Sequence, residues 1–267
     1  MSHNARVPTF LRITASLIAL GLTTAAFAAE PKVLVYTRSY TPDGKGYVHD
    51  NIATSVEAIQ KMGAETHFTV DSSDSPDVFT DANLRQYSAI IFANSNNEAF
   101  TSDDQRAAFK RYIQSHHGFV AIHSASGSER SWPYYWQVVG GKFVEHPRLQ
   151  TFTVHVAEPN FPATEGLPAD FSWTDECYFT DHQSRDIHPI LTTDRTRLAG
   201  LDKMTRSDPN TYPNPLPIAW YHTFDGSREI YLALGHRKED YGNPILYNLI
   251  RRSILWSIGG KQGKANP

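Results

Sequence analysis

The sequence predicts an α/β protein whose strands form a mainly parallel, doubly wound sheet. Three observations predict it. Short apolar runs recur at Val33-Leu34-Val35, Ala89-Ile90-Ile91-Phe92 and Phe119-Val120-Ala121-Ile122, and such runs suit strands covered on both faces. Helical patterns lie between them, and strands alternating with helices call for parallel pairing through crossovers. A final helix then opens at Asn243-Pro244, where Asn caps and Pro fills the first turn.

The first strand covers residues 32–37, and a polar loop with two glycines runs from 38 to 49. A helix starts at Asp50, with Ile52, Val56 and Ile59 on one face and Gly63 as its stop, since glycine readily ends a helix. Residues 66–70 read as a second strand, 71–77 as loop and 81–86 as a short helical turn before the third strand at 88–93. Ser102 and Gln105 have capping-box spacing, and the helix they open turns Phe109, Tyr112 and Ile113 inward. The fourth strand begins at Gly118 and stops at His123-Ser124. In open α/β sheets the chemistry sits at the carboxyl ends of strands. A strand-to-turn junction can also lift a polar side chain out of the sheet.

The second half is less regular. Residues 132–143 are rich in aromatics and close on Gly140-Gly141, which reads as a satellite core in preference to a sugar-stacking surface. Residues 150–157 and 187–193 read as strands, and the stretch between them, up to 181, as loop-rich. Residues 217–223 and 228–234 flank Asp225-Gly226, a strong hairpin signal. There is no internal repeat, so 29–267 reads as one domain.

Residues 1–28 carry a different message. Arg6 and Arg12 precede an apolar run that ends in Ala26-Phe27-Ala28. That is the pattern of a cleavable secretory signal peptide, too short to span a bilayer comfortably. Export to a periplasm, with no membrane attachment of the mature chain, is the expectation. Loss of two arginines and no acid takes the net charge from −3 to −5, and no basic stripe suggests nucleic acid. The single cysteine, Cys177, excludes an internal disulfide.

Histidine is the residue type that stands out. His49, His123, His146, His222 and His236 fall at strand ends or in polar loops. No nucleophile-elbow serine motif, zincin motif, phosphate-binding loop or dinucleotide fingerprint is present. Any site must be assembled from separated strand ends.

Five stretches together resemble the ThuA-like (trehalose-utilisation) family, over roughly residues 32–259. They are Gly46-Tyr47-Val48-His49-Asp50, Ala121-Ile122-His123-Ser124-Ala125, Gly140-Gly141-Lys142-Phe143 with His146, Asp175-Glu176-Cys177-Tyr178, and Trp220-Tyr221-His222 running on to Leu234-Gly235-His236. The resemblance implies a flavodoxin-like, class I glutamine amidotransferase-like three-layer sandwich. It implies that His123 stands where amidotransferases carry their elbow cysteine, and His236 near their catalytic histidine. Thioester-based glutamine hydrolysis is then excluded. The family is linked to keto-sugars made by oxidising a glucosyl ring, which makes a secreted sugar dehydrogenase a natural partner.

The leading reading is an enzyme acting on keto-sugars or keto-glycosides by isomerisation, epimerisation or elimination. A ring ketone acidifies the neighbouring C–H, and histidine suits proton transfer near neutral pH. His123 and His236 are the base and acid candidates, with Glu176 as partner. His49, His222, Trp220, Tyr178 and Ser124 are candidates to bind substrate. The alternative is a non-catalytic sugar-binding or partner-docking module of the same fold. All four of His49, His123, His222 and His236 are expected in one cleft at the carboxyl edge of the sheet, near Glu176. Three imidazoles within ligand reach would point to a divalent metal such as zinc, and two to metal-free acid–base work. The absence of a local ligand motif favours the metal-free case.

Overall fold

Strands β1 (Lys32–Tyr36), β2 (Thr69–Ser73), β3 (Ala89–Ala93) and β4 (Gly118–Ile122) pair in parallel with one another in the order β2-β1-β3-β4. The computed structural model describes Met1 and residues 29–259. Apart from Met1, the segment read as a signal peptide lies outside the described residues, as do 260–267. Every residue of β3 and β4 is buried, because helices cover both faces of the parallel half. No helix among the described residues is long and apolar enough to cross a membrane.

The sheet continues through β5 (Gln150–Val156), β6 (Asp170–Asp175), β7 (His188–Thr193), β8 (Leu216–Phe224) and β9 (Ser227–Leu232). The full order is β2-β1-β3-β4-β9-β8-β7-β5-β6. Strand β9 is parallel to β4, and every pairing beyond it is antiparallel. A parallel five-strand half is thus extended by an antiparallel one. The hairpin between β8 and β9 turns at Asp225 and Gly226, whose φ angles are 49° and 84°, the positive pair that a two-residue turn of this hand requires.

Helices α1 (Ile52–Thr66), α2 (Asp81–Leu84), α3 (Asp103–Gln114), α4 (Pro133–Val139) and α5 (Pro244–Ile258) complete the layers. The Ser102–Gln105 capping box forms, and the Asn243 side chain accepts from Ile245 N–H. The second strand spans Thr69–Ser73 rather than 66–70, because α1 takes the chain to Thr66, and two further boundaries depart from the sequence reading. First, α1 runs past Gly63 to Thr66 and ends on His67 at φ 61°. Gly63 is glycine for another reason: a Cβ there would lie 2.5 Å from the carbonyl oxygen of Phe68, where the chain turns back. Second, the stretch read as loop-rich contains β6, which alternates Phe171, Trp173 and Asp175 inward.

A short ribbon, Lys142–Glu145 against Phe179–Asp181, folds over the edge where the parallel strands end. The ends of β3, β4 and β9 are level there, with Ala93 beside Ile122 and Ile122 beside Leu232. Residues that follow these strands emerge side by side.

One buried acid away from that edge has a measurable consequence. Glu229 in β9 is fully buried and accepts from Phe224 N–H. Burial pushes its carboxyl up to about 9. Unfolded, the same group loses its proton near its ordinary value of 4.5. Its contribution to stability is therefore complete below that value and declines as pH rises towards about 9, by at most roughly 1.4 kcal/mol per pH unit. Glu229→Gln keeps an acceptor for Phe224 and removes the titration. The unfolding free energy of the variant, from urea melts at about pH 5 and about pH 8, should fall less than that of the wild type. Equal falls would refute the assignment.

Candidate functional site

His123 is the first residue after β4 and sits at φ 53°, a left-handed conformation uncommon for a residue with a side chain. The strand-to-turn junction therefore has the strained character of an elbow. The imidazole is completely buried. Its Nδ1 lies 2.7 Å from the Ala233 carbonyl. A carbonyl only accepts, so Nδ1 carries a proton, and the tautomer this selects has its lone pair at Nε2.

Three other elements bring groups to that lone pair. His49, in the loop between β1 and α1, places Nε2 at 3.1 Å and sets its own Nδ1 3.2 Å from Ser124 Oγ. Tyr178, just before the ribbon strand at Phe179, places its hydroxyl 3.0 Å away. Glu176, directly after β6, places Oε2 at 3.6 Å. The same carboxylate oxygen is 3.3 Å from His236 Nδ1 and 3.5 Å from His146 Nε2. The contact with His236 is close but not aligned as a hydrogen bond, and this buried Nδ1 has no hydrogen-bond partner. Ligand atoms of His49, His123, Glu176 and His236 all lie within 4.8 Å of one another.

The peptide that carries His236 is clamped from two sides. Asp175, wholly buried, accepts from the backbone N–H groups of Gly235 and His236, from Glu176 N–H and from Trp173 Nε1. On the other side Asn51 Nδ2 donates to the carbonyls of Gly235 at 2.6 Å and His236 at 2.8 Å. Asn51 stands at the N-cap of α1 yet makes no capping bond, because its side chain serves this loop. Gly235 itself, at φ 123°, adopts a conformation that L side chains rarely take.

Electrostatics follow from this crowding. Burial pushes the Glu176 carboxyl up, but the imidazoles of His123, His236 and His146 close to it outweigh that and hold the carboxyl below the usual range. Burial, with the charges of His123 and His236, lowers His49 to about 3, so it stays neutral. The Glu176 carboxylate raises His236 against the effect of burial.

Six of the sequence candidates thus meet: His123, His236, Glu176, His49, Tyr178 and Ser124. His222 and Trp220 do not. His222 pairs with Glu229, which pairs with Phe119 near the start of β4. Strand β8 runs against the parallel set, so His222 lies towards the opposite edge. Its Nε2–H donates to Val138 O, and Trp220 Nε1–H donates to Val139 O. Both satisfy free carbonyls at the C-terminus of α4, and Gly140 leaves them room, since a Cβ there would be 2.7 Å from Trp220 Nε1.

His146, Asp175 and Asn51 join the site without having been candidates for it. His146 stacks on Tyr178, with ring centroids 5.3 Å apart, and lines a hollow of about 460 Å³ with Arg148, Lys203 and Met204. That volume is within the range of small-molecule sites. Its signal in the sequence was the loop position after the glycine pair. Asp175 was visible only as the neighbour of Glu176.

A parallel five-strand half extended by an antiparallel one, with helices on both faces, defines the α/β fold class of the class I glutamine amidotransferase-like proteins. Solved structures agree on the fold. A ThuA-like protein from Bacteroides uniformis superposes with a TM-score of 0.68 at 21% identity, over 88% of this chain and 94% of that one. A ThuA-like protein from Parabacteroides merdae gives 0.64 at 17%, over 89% and 93%. A protein from Thermoplasma acidophilum assigned to GMP synthase gives 0.50 at 12%, over 86% and 97%. No curated protein sequence matches the chain. The family model ThuA, trehalose utilisation, matches residues 32–257, and the chain belongs to that family.

Proposed function

We propose that this protein is an enzyme of carbohydrate metabolism that acts on keto-sugars or keto-glycosides by proton transfer next to the ring ketone. The observation that carries the reading is the convergence of His49, His123, Glu176 and His236 at the carboxyl edge of the sheet, beside an open hollow. Enolisation needs two things: a centre that stabilises charge developing on the carbonyl oxygen, and a base for the adjacent C–H. Within the quartet His236 supplies the first, because the Glu176 carboxylate favours its protonated, hydrogen-donating form. His123 is wholly enclosed, so its part is to build that centre rather than to touch the sugar.

His146 supplies the second. Its Nδ1 lies 2.8 Å from the Pro147 carbonyl and so holds the proton, which leaves Nε2 basic and directed at Glu176. The carboxylate is placed to stabilise the imidazolium that forms when His146 takes up the proton. Isomerisation, epimerisation or loss of the anomeric substituent can follow the same enediolate. The targeting pattern of residues 1–28 supports a periplasmic setting, beside a secreted sugar dehydrogenase that supplies the keto group.

The test is NMR in D₂O with keto-glycosides and their unoxidised parents. The wild type is expected to exchange the hydrogen next to the ketone and form product from the keto-glycoside alone. His146→Ala should slow exchange by about 10²–10⁴-fold with binding retained. Keto-glycoside bound but never exchanged would turn the reading to a binding module. No binding would end it.

A further inference from the structure

We propose that His49, His123, Glu176 and His236 bind one divalent transition ion of the zinc type. The inference goes beyond the reading above and is independent of which sugar, if any, is turned over.

The donor spacing is the first argument. Zn–N and Zn–O bonds of about 2.0–2.2 Å place tetrahedral donors about 3.3–3.6 Å apart. Three of the six separations here are 3.1 Å for His49 Nε2 to His123 Nε2, 3.6 Å for His123 Nε2 to Glu176 Oε2 and 3.3 Å for His236 Nδ1 to Glu176 Oε2, and all six lie within 4.8 Å, so a small inward turn of the side chains completes the set.

The second argument is where the hydrogens are. His123 gives its Nδ1 proton to Ala233 O, which leaves Nε2 as a lone pair. His49 rests Nδ1 on Ser124 Oγ and turns Nε2 inward. A ring nitrogen bonded outward to a carbonyl or hydroxyl is the usual support of a metal-ligating imidazole. His236 Nδ1 is buried, faces the same point and has no hydrogen-bond partner. Three ring nitrogens and a carboxylate oxygen thus converge within 4.8 Å of one another, an arrangement that a bound cation would satisfy in place of the ring protons.

The third argument is the donor chemistry. Three imidazoles with one carboxylate suit zinc and its transition-metal neighbours, whereas Mg²⁺ and Ca²⁺ prefer all-oxygen sets. Cys177 takes no part, since its thiol is buried and burial pushes its ionisation up. Asp175 and Asn51 act as positioning residues, because they hold the peptide that aims His236.

The experiment uses the mature chain without a histidine tag. Metal content is measured as isolated, after chelator dialysis and after Zn²⁺ is added back, and Zn²⁺ affinity by competition with a chromophoric chelator. Co²⁺ loading reports the coordination geometry in its visible spectrum. One ion per chain is expected. His236→Ala and Glu176→Gln should lose stoichiometric Zn²⁺, with circular dichroism showing that they remain folded. Ser124→Ala should bind about 10–100-fold more weakly, and His155→Ala, a change at the surface, should bind as the wild type does. A folded wild-type chain that takes up neither Zn²⁺ nor Co²⁺ overturns the inference, as does Zn²⁺ binding undiminished in His236→Ala. Keto-glycoside turnover by a chain that binds no ion would overturn this inference and leave the proposed function standing. One bound ion without such turnover would do the reverse.

Discussion

Glu176→Gln is expected to lower kcat on a keto-glycoside by about 10²–10⁴-fold, with a much smaller change in KM. Glu176 is the one carboxylate among the described residues whose oxygen lies within ion-pair distance of His123, His146 and His236 together. Gln has nearly the same shape, so the substitution opens no cavity. Two things are lost. The imidazolium formed on His146 loses its counter-charge, and that loss falls on the transition state rather than on bound substrate. The amide also presents donor hydrogens to ring nitrogens that want an acceptor or a cation. Steady-state kinetics on folded variant would check it. A KM-only effect would show that Glu176 binds sugar and does not serve the chemistry.

The parallel half of this fold was legible because local and global signals agree there. Val33-Leu34-Val35 and Phe119-Val120-Ala121-Ile122 are apolar on both faces because helices cover both faces. Ser102, Gln105, Asn243 and the Asp225-Gly226 turn act through neighbours a few residues away, so their geometry is written in the local sequence. Strand β6 was less visible. It alternates Phe171, Trp173 and Asp175, and a buried aspartate at the third inward position breaks the apolar pattern that betrays a strand.

The site was legible to the extent that parallel strands gather their ends at one edge. That rule placed His123 beside His236 and His49. It failed for His222, because a strand's direction in an antiparallel extension depends on pairings made far along the chain. Asn51 and Asp175 were hidden for a related reason. Asn51 looks like a helix cap and Asp175 like a loop acid until Gly235, distant in sequence, arrives to bond with both. Buried hydrogen-bond partners at long range leave no periodic trace.

Asp175→Asn is expected to destabilise the fold by about 2–5 kcal/mol and to loosen His236 while the chain is still native. Oδ2 accepts from Trp173 Nε1 at 3.0 Å and Gly235 N at 2.8 Å, and Oδ1 accepts from Glu176 N at 2.8 Å and His236 N at 3.3 Å. Each oxygen therefore serves two N–H donors. Asn replaces one oxygen by an NH₂, so whichever way the amide lies, two donors face a donor. Each buried N–H left unsatisfied costs about 1–3 kcal/mol, and no water-exposed face offers relief, since Asp175 is wholly buried. Strand β6 is separated from β9 by β8, β7 and β5 in the sheet, so this carboxylate also ties the far end of the antiparallel half to the end of β9. Urea denaturation gives the stability change, and hydrogen exchange at the amides of Gly235 and His236 reports the local loosening. A variant within about 0.5 kcal/mol of the wild type, or unchanged protection at those two amides, would show that Asn51 alone holds the His236 peptide in place.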